Sequence, residues 1–458
     1  MKKIISLALL AILTYSGTTL GQTVQRITLQ DAIQIALENN YLLKQAENNL
    51  ELAEENIKSE YADFLPNITG NLSGSRTTGQ QFIADRFSEG LDPFVNVTSQ
   101  SISGNIRAGI TIFDGFNNIN TLRASSETQI SREESLLRAK ENVIFNAAIR
   151  FLQVLLDKEL LDIARENLET SRTQLEQVVA QVEVGSRPAV DQYNQEAQVA
   201  TDELTLTQRE NSLSLNRLLL IRQLQIDPLG NYEFIVPEID ENRTFNSVGN
   251  YVLKDLIDEA LLGRSDIRSE EASINALKYQ LKIAQGGLFP TLTASASISS
   301  RYSDQYSLGG EKVTFSDQFF DQQVNRGIGI NMSIPLFQNW NRMYSIQSSK
   351  VQLKNAQLSL DNSKLQVVQE VTQAFNDYSS YTKQREASQK SLIASEKAFE
   401  TQQERYNVGA STLIELSQAQ STYVEAQSNY TQAIYNLIFQ EKLLDFYLGK
   451  LSGEDVEF

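Results

Sequence analysis

The chain has 458 residues and a net charge of −17, from 40 Lys and Arg against 57 Asp and Glu, and it contains no histidine and no cysteine. These counts exclude a histidine general base, a cysteine nucleophile, disulfides and Cys/His metal sites, and they leave a carboxylate enzyme or a Mg²⁺ site as the alternative. Because the sequence offers no clustered acid pair, we expect neither enzymatic activity nor a cofactor. The acidic balance also argues against nucleic-acid binding, which needs a basic surface.

Residues 1–21 are predicted to be a cleaved signal peptide. Lys2 and Lys3 precede an apolar run at 4–13, and small and polar residues follow as far as Gly21. That order is typical of a secretory signal, and a short membrane anchor is the alternative. Since no cysteine follows, we expect no N-terminal lipid anchor. No later run approaches eighteen apolar residues, so any membrane crossing must use β-strands.

Two copies of one unit are predicted, offset by 224 residues along the chain. Matching landmarks are Ala36-Leu37 with Ala260-Leu261, Pro66 with Pro290, and Val184-Gly185 with Val408-Gly409. We therefore predict repeat 1 at 22–226, a connector at 227–250, repeat 2 at 251–450 and a C-terminal tail at 451–458.

Each repeat is predicted to end in a long helical hairpin, at 116–226 and at 340–448. Apolar residues such as Val154, Leu161 and Leu168 recur every seven positions, which indicates a coiled-coil seam. Gly185 and Gly409 are placed to end the first helix of each hairpin. A helix of about 67 residues would extend about 100 Å, longer than a compact domain.

Four segments with alternating apolar and polar residues are predicted strands, at 67–76, 101–113, 290–302 and 326–337. Their even-numbered positions are mainly apolar, and about ten residues suit a tilted strand of an outer-membrane barrel. Aromatic residues collect where strands meet helices, as an interfacial girdle would require: Phe64, Phe113, Phe116, Phe289, Phe337 and Trp340. A soluble four-stranded sheet with aromatic core residues is the alternative.

The polar face of these strands supplies candidate lumen-lining residues: Asn105, Arg107, Asn331 and Arg301. A position at the extracellular end is the alternative for Arg301. Four strands cannot close a barrel, since the smallest have eight, and an open edge in lipid leaves backbone groups unpaired. We therefore expect the barrel to be shared among subunits. Dimer and trimer both reach the minimum, and only a trimer's twelve strands leave a comfortable lumen.

In this order, the motifs resemble those of the TolC-type outer-membrane efflux proteins. The resemblance covers about 27–450 and is carried by Thr28-Leu29-Gln30-Asp31-Ala32-Ile33, Phe64-Leu65-Pro66, Leu288-Phe289-Pro290, Ile112-Phe113-Asp114-Gly115 and Tyr406-Asn407-Val408-Gly409. It implies a mainly α protein with a β-barrel portion. The implied assembly is a trimeric 12-stranded outer-membrane β-barrel continued by a long periplasmic α-helical coiled-coil tunnel, with two internal repeats per chain.

The same resemblance implies a passive exit duct of a tripartite efflux or type I secretion system, in the outer membrane of a Gram-negative cell. The implied partners are a periplasmic adaptor protein, an inner-membrane pump of RND or ABC type, outer-membrane lipid and two further copies of the chain. A structural periplasmic or surface coiled-coil protein without channel activity is the alternative, although it does not explain the strands.

The hairpin tips hold the remaining candidate residues. By resemblance, Asp191 and Glu415 occupy the positions of acidic gate residues, and Gln418 stands where a second acid is frequent. Tyr406 resembles a gate tyrosine or is a buried seam residue. Asp191 and Glu415 are alternatively only helix-start acids. The predicted adaptor-docking tip comprises Val184, Gly185, Ser186, Arg187, Pro188, Val408, Gly409, Ala410 and Ser411.

Overall fold

The computed structural model describes residues 24–82, 86, 88–235, 251–309 and 311–451. The predicted signal peptide at 1–21, most of the connector and nearly all of the tail lie outside the described residues. The chain forms two compact units. The helical unit is Met1–Glu47, Ser135–Ile267 and Asn362–Phe458, and the sheet unit is Asn48–Glu134 and Arg268–Asp361.

Helices and strands follow in the same order in both halves of the chain, except that the second half has two additional short strands between its two long ones. The first half contains β1 Gln25–Ile27, α1 Leu29–Asn39, α2 Tyr41–Ala62, β2 Asn67–Phe82, β3 Phe94–Phe113, α3 Asn117–Glu183 and α4 Ala189–Leu224. The second half contains β4 Tyr232–Phe234, α5 Leu253–Gly263, α6 Ser265–Gly286, β5 Thr291–Ser303, β6 Ser307–Leu308, β7 Glu311–Lys312, β8 Asn325–Ser333, α7 Asn341–Asn407 and α8 Leu413–Tyr447. Helices α3 and α7 have 67 residues each.

The sheet unit contains an antiparallel sheet in the order β2-β3-β5-β8. Its register sets even-numbered residues opposite one another: Ile106 lies between Gly70 and Ile298, and Ala294 lies opposite Ile330. Because side chains alternate between the two faces of a strand, the even-numbered apolar residues share one face across all four strands. The odd-numbered polar residues share the other.

Strand bounds differ from the predicted ones mainly at the far end of the first hairpin. The predicted strands 67–76 and 101–113 extend to Phe82 and back to Phe94, where these two residues pair with each other. Residues 77–81 are polar on both faces, so they give no alternation signal. The predicted strand 290–302 lies at Thr291–Ser303. The predicted strand 326–337 ends early, at Ser333, because Pro335 has no backbone N–H to donate.

The core of the helical unit forms where α1, α3, α4 and α8 meet. Phe151, Leu155, Leu224 and Ile438 are fully buried there. The short strands β1 and β4 pair in parallel beside this core. The seam residues Val154, Leu161 and Leu168 of α3 are buried, as the seven-residue spacing predicts.

Helix α1 begins with a capping box, in which the Asp31 backbone N donates to Thr28 Oγ1 at 3.2 Å and the Thr28 backbone N donates to Asp31 Oδ2 at 3.0 Å. These hydrogen bonds lower the pKa of Asp31. Within the described helices, none has the length and apolar composition that crossing a bilayer requires.

Candidate functional site

The tip between α3 and α4 is a tight turn closed by backbone hydrogen bonds. Helix α3 ends at Glu183, and Gly185 adopts φ 73°, a left-handed conformation that suits glycine. The Ser186 N–H then donates to the Gln181 carbonyl at 2.9 Å, which satisfies an acceptor at the helix end. Val184 is left projecting at the tip, 79% exposed.

Arg187 joins this tip to the end of α7. Its Nε donates to Gln181 Oε1 at 2.8 Å, and its Nη1 lies 3.6 Å from Asp191 Oδ2. The guanidinium carbon lies 4.2 Å from the centre of the Tyr406 ring, a cation–π distance. Because the Arg187 and Asp191 side chains are less than a fifth exposed, solvent screens this group less than an ordinary surface pair.

Tyr406 is a buried seam residue that also forms one wall of the tip. It packs with Val178, Leu413 and Leu416, and its hydroxyl has no hydrogen-bond partner among the described residues. Burial raises the pKa of Tyr406, Arg187 opposes that increase and Asp191 adds to it. Tyr406 is therefore neutral at physiological pH, and Arg187 meets the ring face rather than a phenolate.

The tip between α7 and α8 is held differently, by a capping box at the start of α8. The Glu415 N–H donates to Thr412 Oγ1 at 3.2 Å, and the Thr412 N–H donates to Glu415 Oε2 at 3.0 Å. Ser411 Oγ donates to the same carboxylate oxygen at 2.8 Å. Gln402 Nε2 lies at 3.4 Å from it.

These hydrogen bonds lower the pKa of Glu415, with the backbone of Thr412 contributing most, then the hydroxyls of Ser411 and Thr412. The carboxylate is therefore ionised at neutral pH and is held at the helix start. Asp191 lacks an equivalent cap because Pro188, not threonine, precedes α4. It pairs with Arg187 instead. Gln418, one turn beyond Glu415, is exposed.

Most residues of the predicted docking tip are exposed, and Arg187 is not. Val184 and Val408 are each 79% exposed, whereas the Arg187 side chain is 19% exposed. Arg187 was expected among the docking residues because it sits in the turn. Its long side chain folds back instead onto Asp191 and Tyr406. An ion pair at spacing i, i+4 is readable from sequence, but the contact with Tyr406 is not.

The four candidate lumen residues share the polar face of the sheet. Arg107 lies opposite Ser297, and Asn105 lies opposite Ser299. Arg301 lies opposite Ser103, and Asn331 opposite Thr293. The sheet therefore presents a face with two arginines and amides on one side and an aliphatic face on the other.

Five of the predicted girdle residues are solvent-exposed large side chains: Phe64, Phe116, Phe289, Phe337 and Trp340. Phe113 is half-buried and packs edge-on against Phe116, with ring centres 5.2 Å apart. A bulge after Thr111 places Phe113 opposite Leu292 on the apolar face. The girdle aromatics cluster at the strand ends that join helices.

Two features of the described chain escaped the sequence analysis. One is a set of aromatic rings at the opposite end of the sheet, around Phe315, Phe319 and Phe320. The close spacing of these phenylalanines in an otherwise polar connection could have indicated the cluster. The other is a buried charge network around Arg264, which had no signal because its partner Glu370 is distant in sequence. No group of three or more acidic side chains in the described ranges could hold a metal ion.

The family model described as outer membrane efflux protein matches residues 32–224 and again 256–450. The chain therefore belongs to the outer membrane efflux protein family, and the resemblance to TolC-type proteins is confirmed. The outer membrane efflux protein BepC of Brucella suis biovar 1 (strain 1330) is 22% identical over 446 residues, which cover 96% of this chain and 90% of BepC. The outer membrane protein TolC of Escherichia coli (strain K12) is 23% identical over 437 residues, covering 94% of this chain and 84% of TolC.

A solved structure shares the fold. The crystal structure of CusC, described in terms of folding and transmembrane channel formation, matches with a TM-score of 0.78 at 17% identity. The match covers 92% of each chain. The mainly α architecture with a four-stranded sheet is therefore the fold of a solved protein that forms a transmembrane channel.

Proposed function

We propose that the protein is the outer-membrane exit duct of a tripartite efflux or type I secretion system, conducting substrates passively. The observation that carries this proposal is the sheet, whose apolar and polar faces are continuous across four strands. A sheet with an aliphatic face, bounded by exposed aromatics, suits lipid on one side and water on the other. Membership of the efflux family supports the same function.

Closure of the barrel would require further copies of the chain, and two of them would give the twelve strands that leave a comfortable lumen. Within the described residues, β2 and β8 are the outer strands of the sheet, each with one unpaired edge. Such edges are not tolerated in lipid. We infer a trimer whose twelve strands alternate in direction, β8 of one copy pairing with β2 of the next.

An internal duplication supports this closure and predicts its register. Helices α1 to α4 begin 224 residues before α5 to α8, and the family model matches two stretches. The pairing of Arg107 with Ser297 joins the two halves of one chain. If β8 of one copy pairs with β2 of the next as β3 pairs with β5, the 224-residue offset places Asn331 opposite the partner subunit's Ser73. The girdle aromatics and the polar-face arginines would then repeat around the trimer, facing the membrane boundary and the lumen respectively.

At the tips, Arg187 would close the duct by tying α4 to α7 through Asp191 and Tyr406. Three Glu415 carboxylates, ionised and fixed by their caps, would form an acidic ring, with Gln418 one turn on. The exposed Val184 and Val408 turns would dock on a periplasmic adaptor that connects to an inner-membrane pump. The signal peptide at 1–21 would direct export across the inner membrane of a Gram-negative cell, from which the chain would reach the outer membrane.

Conductance across a planar lipid bilayer tests the duct. Purified protein added to one side should produce discrete ion-current steps of uniform size. Protein denatured before addition is the control, and it should give no steps. Absence of steps from native protein, with the protein released from cells without detergent, would favour the structural coiled-coil alternative.

A further inference from the structure

A structured segment covers the outer end of the sheet, opposite the girdle. This outer segment, residues 313–324, includes a short helical stretch, Phe315–Asp317, and a π-helical turn, Gln318–Gln322, before β8 begins. It lies against the apolar face: a Cβ added to Gly104 would stand 2.9 Å from the Phe319 ring. Ser300 Oγ also donates a hydrogen bond to the Phe319 carbonyl.

One buried glutamine fixes the outer segment in place. The Gln318 side chain accepts from the Ser303 N–H at 3.0 Å and donates to the carbonyls of Ser303 and Val313 at 3.1 and 3.0 Å. The rings of Phe315 and Phe319 stack with centres 5.2 Å apart. The outer segment is thus held by a satisfied polar group and by aromatic packing.

Between the outer segment and the sheet lies an open apolar groove of about 520 Å³. Leu72, Ile106 and Ile298 lie along its floor, and Phe319 and Phe320 form its wall. Phe320 is 70% exposed, so its ring is available to a further apolar molecule.

Arg326 lies at the rim of this groove and on the apolar face. It is directly opposite Ile298 in the register and lines the groove. Within the described chain its side chain makes no ion pair and no hydrogen bond. A cation beside lipid is costly unless an anion neutralises it. The groove therefore combines an apolar surface that fits a hydrocarbon chain with a positive charge, the Arg326 guanidinium, that an anion would neutralise.

Along the strand direction, Arg326 lies at the level expected for lipid headgroups. From Phe289, in the girdle, to Ile298 is about 30 Å along the strand at 3.4 Å per residue. Strand tilt of about 35–45° reduces that distance to nearly the height of the apolar band, about 25 Å. Arg326, opposite Ile298, would then lie at the outer boundary of the band, where lipid phosphates are found.

We propose that this groove binds an anionic, phosphate-bearing lipid of the outer leaflet. An acyl chain lies over Leu72, Ile106 and Ile298, while the Arg326 guanidinium donates to the phosphate, a planar donor set that fits two phosphate oxygens. This inference rests on the proposed function, because it needs the apolar face of the sheet to lie in a membrane.

Native mass spectrometry of the detergent-extracted, delipidated protein tests the site. Phosphatidylglycerol and diacylglycerol with identical acyl chains, of which only the first carries a phosphate headgroup, are added in parallel, and inorganic phosphate is added as a third arm. Wild type should prefer phosphatidylglycerol, and Arg326→Gln should lose about tenfold of that preference, as expected for a charged hydrogen bond. Arg301→Gln, on the opposite face of the neighbouring strand, should keep it. Inorganic phosphate should not compete.

Two further variants keep the test decisive if Arg326→Gln does not assemble. Arg326→Lys keeps the charge but loses the planar donor set, so its preference should lie between those of wild type and Arg326→Gln. Phe320→Ala should weaken the binding of both lipids alike. Equal binding of the two lipids by wild type, or competition by inorganic phosphate alone, would overturn the lipid site while the trimer in the same spectra leaves the duct intact. Protein that needs no detergent and stays monomeric would overturn both.

Discussion

Arg187 contacts three side chains from two helical hairpins, and its geometry gives a measurable prediction. Replacing it with alanine removes the contact with the Tyr406 ring and the ion pair with Asp191. A partly desolvated cation–π contact contributes about 1–2 kcal/mol, so the closed tip should lose about tenfold in population. Single-channel recordings should show a larger open fraction for Arg187→Ala.

Two comparisons sharpen that measurement. Arg187→Lys keeps a charge but loses the planar group, so its open fraction should lie between those of wild type and alanine. Arg172→Ala breaks an exposed ion pair between Arg172 of α3 and Glu203 of α4, and it should leave the open fraction unchanged. An unchanged open fraction in Arg187→Ala would show that the contacts of Arg187 with Tyr406 and Asp191 do not hold the tip closed.

Glu415 has a capping function in the structure, and a conservative variant separates it from a gating one. Glutamine also serves at this position of a capping box, so Glu415→Gln should unfold at nearly the wild-type temperature. It removes the charge, so block of the channel current by hexaamminecobalt(III) from the periplasmic side should weaken. Glu415→Ala should lower the unfolding temperature and also weaken the block. Unchanged block in Glu415→Gln would leave Glu415 as a helix-start acid alone.

The junction between α5 and α6 carries the buried charge network of the helical unit. Arg264, 4% exposed, donates to Asp266 at 2.7 and 3.0 Å and to Glu370 at 2.6 Å. Arg264→Ala removes the guanidinium from both carboxylates, while Arg138 remains 3.8 Å from Asp266 and Gln366 still donates to Glu370. The free energy of unfolding should therefore fall by about 2–3 kcal/mol in chemical denaturation, as expected for the loss of charged hydrogen bonds. Lys450→Ala, which breaks an exposed pair with Glu259, should cost under about 1 kcal/mol. Similar losses in the two variants would contradict the network.

The same network makes stability depend on pH. Burial alone would raise the pKa of Asp266, but the hydrogen bonds and charge of Arg264 outweigh it and the pKa is lowered. The contribution of Asp266 is therefore fully present above its ordinary pKa and is lost as the pH falls through the lowered value. Unfolding of the wild type should become easier below about pH 4, and Arg264→Ala should reduce that dependence.

The two faces of the sheet predict opposite chemical environments. Ile106 and Ile330 belong to the apolar face, and Asn105 and Asn331 to the polar face. The chain has no cysteine, so single cysteines can be placed without background. Those at 106 and 330 should react with lipid-phase maleimides, and those at 105 and 331 with charged aqueous ones. The reverse pattern would refute the assignment of faces.

Regular elements were predictable because their signals are local. The alternation in β5 and the glycines at 185 and 409 depend only on neighbouring residues. The far end of β2 was not predictable, since its residues 77–81 carry no alternation of polar and apolar residues. The start of β3 has its apolar residues Val95 and Val97 at odd positions, opposite to the even positions of the predicted strand, so it did not extend that pattern. The contacts of Arg187 with Tyr406 and of Arg264 with Glu370 join distant segments, which one sequence does not bring together. Family membership was recognisable because weak motifs recur in one order.

The proposed duct requires that the four-stranded sheet closes into a barrel with other copies of the chain. Its internal register, shifted by one repeat, predicts that Asn331 faces the partner subunit's Ser73. A disulfide needs Cα atoms about 4.4–6.8 Å apart, so it reports that register directly. The pair Asn331→Cys with Thr69→Cys is the matched control, because residue 69 lies about 13 Å farther along the strand.

Oxidative cross-linking in outer membranes, read on a non-reducing gel, is therefore the most direct test of the proposed assembly. The Ser73→Cys and Asn331→Cys double variant should give covalent dimers and trimers and no larger species, since a closed ring contains three joints. The control pair should stay largely monomeric on the gel. Absence of interchain bonds in the first pair, equal yields in both pairs, or a ladder extending beyond three chains would contradict a trimeric duct.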